Sequence, residues 1–214
     1  MRTLIVHPHP LLALHVFVAH LPDAPAPVES PAWLQALMAP DAVTPLQRSD
    51  AVQKAGRDLL RHGGFKPTGR SKPASEYLVR AAEEGTLRSI HPLVDAGNVV
   101  SLHSGLAISV VDATRLEGGL HVRLADPDAR YVFNPAGQEL DAAGLLCLHD
   151  AQGPCANAVK DAQRTKLGPD SRSGLWLIWG SRTIPEAGPG AEAYARELLG
   201  RLGARIEAVQ LEAP

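Results

Sequence analysis

Two short stretches carry most of the residues that could do chemistry. The first, "HPLVDAGNVVSLHSG" at residues 91–105, combines an acid, an amide and two histidines in an apolar run. The second, "VKDAQRTKL" at residues 159–167, has five polar residues within six positions. A carboxylate and an amide that meet in a pocket could hold an amine and orient water. The same residues on a packed helix or a solvated loop would be structural, with Asp95 as an anchor for backbone amides. The spacing alone leaves both interpretations open.

The commonest catalytic signatures are absent from the chain. There is no G-x-S-x-G elbow, P-loop, G-x-G-x-x-G, H-E-x-x-H or C-x-x-C motif. The "HPHP" at residues 7–10 is extended because of its prolines and lacks further ligands, so neither a metal site nor a cofactor is predicted. Cys147 and Cys155 are predicted to be reduced thiols, with Cys147 in the core and Cys155 the more exposed.

The composition is that of a globular protein. The chain has 214 residues, of which 45% are hydrophobic, enough to bury a core. A net charge of −2 argues against broad nucleic-acid binding, DNA included, although 21 Lys and Arg leave room for a local basic surface. The N-terminal apolar runs are too short and too polar for a membrane span, and no secretory leader is recognised. We therefore expect a cytoplasmic protein without membrane partners, of open oligomeric state.

Periodicity predicts helices, then a β-rich stretch, then a helix. Residues 11–21 are typical of a strand, and 22–31 of a proline-rich loop. A helix at 50–62 has Asp50 as its N-cap and stops at Gly63-Gly64. Further helices are predicted from Pro73 to about Gly85, at 90–104 (where a strand remains an alternative) and at 190–202. Strand-like runs are "LAISVVD", "GLHVRL", "RYVFN", "GLLCLHD", "GLWLIWG" and residues 205–211. This order indicates the α+β class.

Two blocks of the chain carry a family pattern. From "KPASEYL" to "GLHVRLA" the chain follows P-S-S-x-x-L, then I-x-x-x-V-D-x-x-N-x-x-S-L-x-x-G, then D-x-x-x-x-x-G before a V-R or L-R strand. The second block, "HDAQGPCANAVKDAQRTKLGPDSRSG", is similar to D-x-x-G … D-S-x-R-T-x-I. Together, over about residues 65–180, they resemble the B3/B4 domain of the bacterial phenylalanyl-tRNA synthetase β subunit and, more closely, its free-standing homologues. The resemblance implies a three-layer β/β/α sandwich, with residues 1–214 as one domain and 181–214 as its C-terminal helix and strand.

The resemblance also implies a function. In the synthetase this domain hydrolyses tyrosine wrongly esterified to the tRNA for phenylalanine. A free-standing copy is expected to deacylate misacylated tRNA in trans, or to bind an RNA or aminoacyl ligand without turnover. Action on a small amino-acid derivative without RNA is a third possibility. An aminoacyl ester is already activated, so hydrolysis needs only oriented water, a polarised carbonyl and a selective pocket.

The family's functional positions carry over in part. Its T-N pair falls at Gly97 and Asn98, and its histidine at Ser109. Its substrate-reading glutamate falls near Asp161 or Gln163, and Asp161 matches better because a carboxylate can hold the α-ammonium. The resemblance implies that Asn98 and His103 are catalytic, that Asp161, Gln163, Ser101 and Ser109 contact the substrate, and that Lys66, Arg70, Lys72 and Arg164 meet RNA phosphates.

The basic loop gives the first testable prediction. Reversing the charge of Arg70 and Lys72 together should weaken tRNA binding and flatten its dependence on salt, because fewer counterions are released when fewer phosphates are neutralised. Binding isotherms at several salt concentrations measure the slope. An unchanged slope would remove this loop from the RNA interface.

Overall fold

The computed structural model describes residues 2–22 and 29–214, and Arg70 by its backbone alone. The middle of the predicted proline-rich loop lies outside the described residues. Ten strands and five α-helices are found in the described part. The strands are β1 Arg2–Val6, β2 Leu12–His20, β3 Ile108–Asp112, β4 Leu120–Leu124, β5 Arg130–Val132, β6 Glu139–Asp141, β7 Leu146–Asp150, β8 Gly153–Asn157, β9 Ser173–Ser181 and β10 Arg205–Glu212. The helices are α1 Ala32–Ala36, α2 Asp50–Arg61, α3 Ala74–Glu83, α4 Pro92–Ser104 and α5 Ala187–Arg201.

Eight strands form one mixed sheet in the order β3-β9-β2-β10-β1-β4-β7-β8. The pairings of β1 with β10 and with β4 are parallel, and the other neighbours are antiparallel. Strands β5 and β6 form a separate hairpin. The sheet curls so far that its two end strands meet, since the Ser109 hydroxyl on β3 lies 3.2 Å from the Asn157 carbonyl oxygen on β8. The sheet is therefore nearly a closed barrel.

The alternation of side chains along β9 divides the interior into two cores. Leu175, Leu177 and Trp179 belong to the core between the two halves of the curled sheet. Trp176 and Ile178 point the other way, into the core that α4 and α5 cover. Because successive strand residues face opposite sides, one buried strand serves both cores. The resulting layers are sheet, sheet and helices, which confirms the α+β class and the β/β/α arrangement.

Most of the predicted elements are confirmed, with two kinds of difference. The N-cap of α2 is Ser49, whose hydroxyl accepts the Val52 amide at 3.3 Å, so Asp50 is the first helical residue and not the cap. The short elements β1, β6, β8 and α1 were not predicted. Strand β8 begins with Gly153-Pro154, residues that usually mark a turn. No helix of the described part is long and apolar enough to cross a membrane.

The turn before β7 packs backbone to backbone against the loop after α2. Gly144 has φ +69°, and a Cβ there would overlap the carbonyl oxygen of Gly63. Gly137 has a similar φ of +73°, but a Cβ there would meet nothing within 4 Å. Both glycines therefore have a left-handed backbone conformation, but only Gly144 also lies close to another backbone segment.

This pair gives a stability prediction. Gly137→Ala should lower the free energy of unfolding by about 1 kcal/mol, the cost of a left-handed residue that has a Cβ. Gly144→Ala should lower it by about 3 kcal/mol, because the backbone of Gly63 cannot rotate away from the added methyl group. Chemical denaturation of both variants measures the difference. Equal losses would show that the close approach is not a constraint.

Candidate functional site

The polar pair Ser109 and Asp161 lies where the two ends of the sheet meet. The Ser109 hydroxyl donates to Asp161 Oδ1 at 2.7 Å, and the backbone N–H of Asn157 donates to the same oxygen at 3.3 Å. Trp179 Nε1 donates to the Ser109 hydroxyl at 3.0 Å. No described residue forms a hydrogen bond with Oδ2 of Asp161, and that atom is not sealed from solvent. The carboxylate is therefore held through one oxygen, and its other oxygen has no hydrogen-bond partner among the described residues.

The surroundings of Asp161 shift its ionisation toward neutral pH. Burial of the carboxyl group raises the pKa of Asp161 to about 6, although the residue as a whole keeps some exposed surface. The Ser109 hydroxyl, the Lys166 ammonium and the Asn157 amide work in the opposite direction and limit the rise. At neutral pH the group is mostly ionised and can hold a cation or accept a proton.

A buried network supports the loop that carries Asp161. Asn157 Nδ2 donates to the Tyr131 hydroxyl at 2.5 Å, and that hydroxyl donates to the Lys160 carbonyl oxygen at 2.5 Å. The side-chain oxygen of Asn157 accepts the amides of Val159 and Lys160 at 2.8 and 3.0 Å. The hairpin β5–β6, which carries Tyr131, is in this way tied to the turn that positions the carboxylate.

Two open clefts flank this region. The hairpin cleft has a volume of about 740 Å³ and lies between the hairpin β5–β6 and the loop after α2. It is lined by Gly64, Phe65, Lys66, Ser71, Phe133, Gln138, Glu139, Leu140, Asp141, Ala143 and Lys160. Lys160 lies over the Phe133 ring at 3.9 Å, and Lys166 Nζ donates to the Phe133 carbonyl oxygen at 2.6 Å. Because Lys160 directly precedes Asp161, the cleft lies beside the loop of the polar pair.

The helical cleft, of about 500 Å³, lies between the start of α2 and α3. It is lined by Arg48, Ser49, Asp50, Gln53, Gly69, Lys72, Ser75, Glu76, Tyr77, Val79, Arg80, Glu83 and Gly105. Gln53, Ser75, Glu76 and Gly105 also line a smaller inner pocket, which reaches Trp179 and Ala158. This inner pocket has a volume of only about 10 Å³, and Trp179, which donates to Ser109, lies between it and the polar pair.

The opening stretch of residues 91–105 is mainly a packed helix. All residues of α4 are buried except the half-buried Val94 and Asn98. Asp95 accepts hydroxyl hydrogen bonds from Ser30 and Ser89, both at 2.5 Å, and the Ile90 amide at 3.0 Å. Asp95 is thus the structural anchor that the sequence offered as an alternative.

Asn98 has a free amide, but no contact with the polar pair is seen. Among the described residues its side chain has no hydrogen-bond partner, and its polar atoms are not sealed from solvent. A Cβ on the preceding Gly97 would lie 2.7 Å from Val110, on the helix-facing side of β3, whereas Ser109 faces the sheet interior. The edge strand β3 therefore separates the body of α4 from Asp161, and the structure does not bring Asn98 and Asp161 together.

His103 and Ser101 have structural partners instead of pocket contacts. His103 Nε2 lies 2.9 Å from the Leu37 carbonyl oxygen, in the contact between α4 and the end of α1. The Ser101 hydroxyl donates to the Leu106 carbonyl oxygen at 2.7 Å, beside the helix end at Gly105. These environments argue against the water-orienting and substrate-binding roles that the resemblance implies for them.

Arg164 is engaged by a buried acid. Its guanidinium makes two bonds to the Asp150 carboxylate, at 2.8 and 2.6 Å, and one to the Gly153 carbonyl oxygen at 3.2 Å. Burial disfavours the charge of Asp150, but the bonds from Arg164 and from backbone amides outweigh it and lower the pKa of Asp150. Gln163, one residue earlier, has a side-chain oxygen that is enclosed and has no hydrogen-bond partner among the described residues.

The remaining predicted cations line the two clefts. Lys66 is exposed at the hairpin cleft, and Lys72 is half-buried at the helical cleft. A 3-10 turn, Gly69–Ser71, separates them, so the two ammonium groups face different clefts. The side chain of Arg70 lies outside the described part of the structure.

The cysteines carry no reactive thiol. Both are free and buried, so the expectation that Cys155 is the more exposed is wrong. Burial raises the pKa of Cys147 to about 12 and the pKa of Cys155 further still. Within residues 2–22 and 29–214, no group of three His, Cys, Asp or Glu side chains is arranged to hold a metal ion.

Sequence reasoning did not single out three residues of the polar network. Trp179, Asn157 and Tyr131 connect to the polar pair through side chains from three different strands. Asn157 gave one usable signal, since an asparagine between two alanines before "VKD" is typical of a turn that its side chain stabilises. Nothing in the sequence marks the indole of Trp179 as a donor to Ser109.

The Arg164–Asp150 pair gives a second stability prediction. Arg164→Met should lower the free energy of unfolding by about 3 kcal/mol at pH 7, because a buried carboxylate loses its partner. The loss should shrink as the pH falls through the pKa that Asp150 has in the variant, because protonation there removes the unpaired buried charge. Denaturation curves between pH 7 and pH 3 measure both effects, and Arg80→Met, which removes the exposed helical pair with Glu84, is the control. A pH-independent loss would contradict the assignment.

Comparison with known proteins identifies the family. The family model described as "B3/4 domain" matches residues 66–175, slightly more than half of the chain. Phenylalanine–tRNA ligase β subunits are similar: that of Dechloromonas aromatica is 34% identical over 89 residues, covering 41% of this chain and 11% of the relative. That of Neisseria meningitidis serogroup A is 34% identical over 121 residues, covering 52% and 15%. The chain thus matches only a small part of these curated relatives.

A solved structure is similar over nearly the whole chain. The N-terminal fragment of the phenylalanyl-tRNA synthetase β subunit from Pyrococcus horikoshii superposes with a TM-score of 0.55 at 10% identity, covering 99% of this chain and 52% of that one. At this identity the likeness concerns the fold alone. Together with the family match, these findings show that the chain belongs to the B3/4 domain family.

Proposed function

We propose that this protein hydrolyses the aminoacyl ester of misacylated tRNA in trans. The observation that supports this most strongly is the Asp161 carboxylate, which is fixed through Oδ1 and has no hydrogen-bond partner at Oδ2 among the described residues. Such a group is suited to an α-ammonium, which every aminoacyl ester carries next to the reacting carbonyl. The relation to tRNA ligase β subunits supports tRNA as the carrier of the ester.

The reaction needs little from the protein beyond positioning. The oxygen of a bound water attacks the ester carbonyl carbon, and the bond from that carbon to the ribose oxygen breaks. The ribose oxygen takes up a proton, and the other products are the amino acid and a proton released from the water. Asp161 fixes the amino group, so the carbonyl is held at one place relative to the water.

The pKa of Asp161 matches this role. A pKa of about 6 leaves the carboxylate largely ionised at neutral pH, and a nearby ammonium favours the ionised form further. Ser109 supplies a hydroxyl where the family has a histidine, so it can orient Asp161 but carries no charge of its own. In this proposal the free amide of Asn98 reaches the ester around the edge of β3 and helps to orient the water.

RNA contacts are assigned to the cations that line the clefts. Lys66 and Lys72, with Arg70 between them, are the proposed phosphate contacts at the acceptor end. Arg164 contributes little, because Asp150 already uses both of its terminal nitrogens.

A binding module without turnover is the second candidate function. The replacement of the family histidine by Ser109 favours it, and so does the engagement of His103 with the Leu37 carbonyl oxygen. Both changes remove imidazoles that could move a proton near the ester. In this case Asp161 would hold the amino group of a ligand that is then released intact.

Deacylation assays separate the two candidates. With a panel of misacylated tRNAs, release of the amino acid should exceed the spontaneous rate. Asp161→Asn, which keeps an acceptor for Ser109 but removes the charge, should reduce kcat/KM about 100-fold or more. In the wild type, after subtraction of the spontaneous rate, kcat/KM should rise with pH through about 6 as Asp161 ionises, and fall again above roughly pH 8, where the substrate's α-ammonium loses its proton.

Two matched measurements complete the test. Asp126→Asn, which neutralises an exposed acid paired with Arg123, should leave the rate unchanged. Binding of misacylated tRNA with no release from any member of the panel would sink the hydrolase and support the module. Release that persists in Asp161→Asn would contradict the role of this residue.

A further inference from the structure

Ser75 carries a buried hydroxyl that has no hydrogen-bond partner among the described residues. It is 4% exposed, and its side chain makes no hydrogen bond to any described residue. It nevertheless lines both the helical cleft and the inner pocket, and its oxygen is not among the buried atoms that are sealed from solvent. A polar atom that is this deeply placed and unpaired requires a partner that enters from the cleft.

The backbone around Ser75 offers a second donor. Ser75 is the second residue of α3, and the N-cap Pro73 supplies no side-chain hydrogen bond. The neighbouring amides of Ala74 and Glu76 are bonded to the carbonyl oxygens of Ala158 and Pro73, at 2.8 and 3.1 Å. The Ser75 amide has no such bond among the described residues. The free amide at the positive end of a ten-residue helix favours an anion.

The charges of the helical cleft are compatible with an anion. Lys72 has no ion pair among the described residues, whereas Glu76 is held by Arg57 through two bonds of 2.7 Å. Glu83 lies 3.7 Å from Arg48. Asp50 is the one acid of the lining that has no described ion pair, and it is exposed to solvent, where its repulsion is screened.

We propose that the helical cleft binds a phosphate group on the Ser75 hydroxyl and amide, with Lys72 as its counter-charge. Phosphate fits this set because its several oxygens can accept from a hydroxyl, an amide and an ammonium together. Ser75 and Trp179 both line the small inner pocket, so Trp179, which donates to Ser109, lies between this site and the polar pair. The site itself does not depend on hydrolysis.

Two sources could supply this phosphate, the backbone of an RNA or a small free phosphate. NMR titration of the ¹⁵N-labelled full chain with inorganic phosphate, at constant ionic strength, should shift the Ser75 amide saturably. Ser75→Ala and Lys72→Ala should each weaken the affinity roughly tenfold, as expected for the loss of one charge-assisted hydrogen bond. Lys54→Ala, at an exposed lysine on the outer face of α2, is the control and should change the affinity less than twofold.

A second arm of the experiment uses uncharged tRNA. If the phosphate belongs to RNA, tRNA competes with inorganic phosphate and Ser75→Ala weakens tRNA binding as well. If it is a small ligand, Ser75→Ala weakens phosphate binding alone. Either result supports the site, whether or not deacylation is observed in the separate assay. No saturable shift of Ser75 with either probe, or an equal loss in Lys54→Ala, overturns it. Because the Ser75 hydroxyl has no protein partner, Ser75→Ala should retain the wild-type unfolding midpoint, which thermal denaturation checks.

Discussion

The contact between the two ends of the curled sheet is the constraint on which the candidate site depends. Strands β3 and β8 are not paired through their backbones, and the Ser109 side chain joins them instead. A seam closed by side chains leaves room for a carboxylate, yet excludes enough water to raise its pKa. The raised pKa of Asp161 thus depends on a barrel whose end strands are joined by side chains and not by backbone hydrogen bonds.

The sequence predicts the elements of this fold better than it predicts their contacts. The long strands and helices were predictable because periodicity and caps are local properties, as the glycine end of α4 at Gly105 illustrates. Strand β8 was missed because Gly153-Pro154 is typical of a turn, and its pairing with β7 is a tertiary effect. The separation of α4 from Asp161 was equally beyond local reasoning, because it depends on which face of β3 each neighbour covers.

The loop at residues 159–167 shows that the partners of charged residues are equally hard to predict from the sequence. A lone Asp and an Arg three residues apart suggest a pair within the loop, but Arg164 bonds to Asp150 on β7 and Asp161 bonds to Ser109 on β3. The kind of partner that each carboxylate has follows from how deeply it is buried. For Asp150 a cation is needed, since its side chain is fully buried. Asp161, with one oxygen open, is stabilised by neutral donors and by the more distant Lys166.

The resemblance places a histidine at position 109, and the serine found there differs from it in charge. A histidine at position 109 could become cationic and would then lower the pKa of Asp161, so that two coupled groups would titrate together. A serine hydroxyl donates a hydrogen bond without adding a charge, so the burial of Asp161 outweighs the favourable contacts and the pKa stays near 6. The single carboxylate therefore changes charge close to physiological pH, with the more distant Lys166 ammonium offsetting its charge only in part. This arrangement favours a site that uses Asp161 to hold a cation, because an incoming ammonium supplies the missing charge.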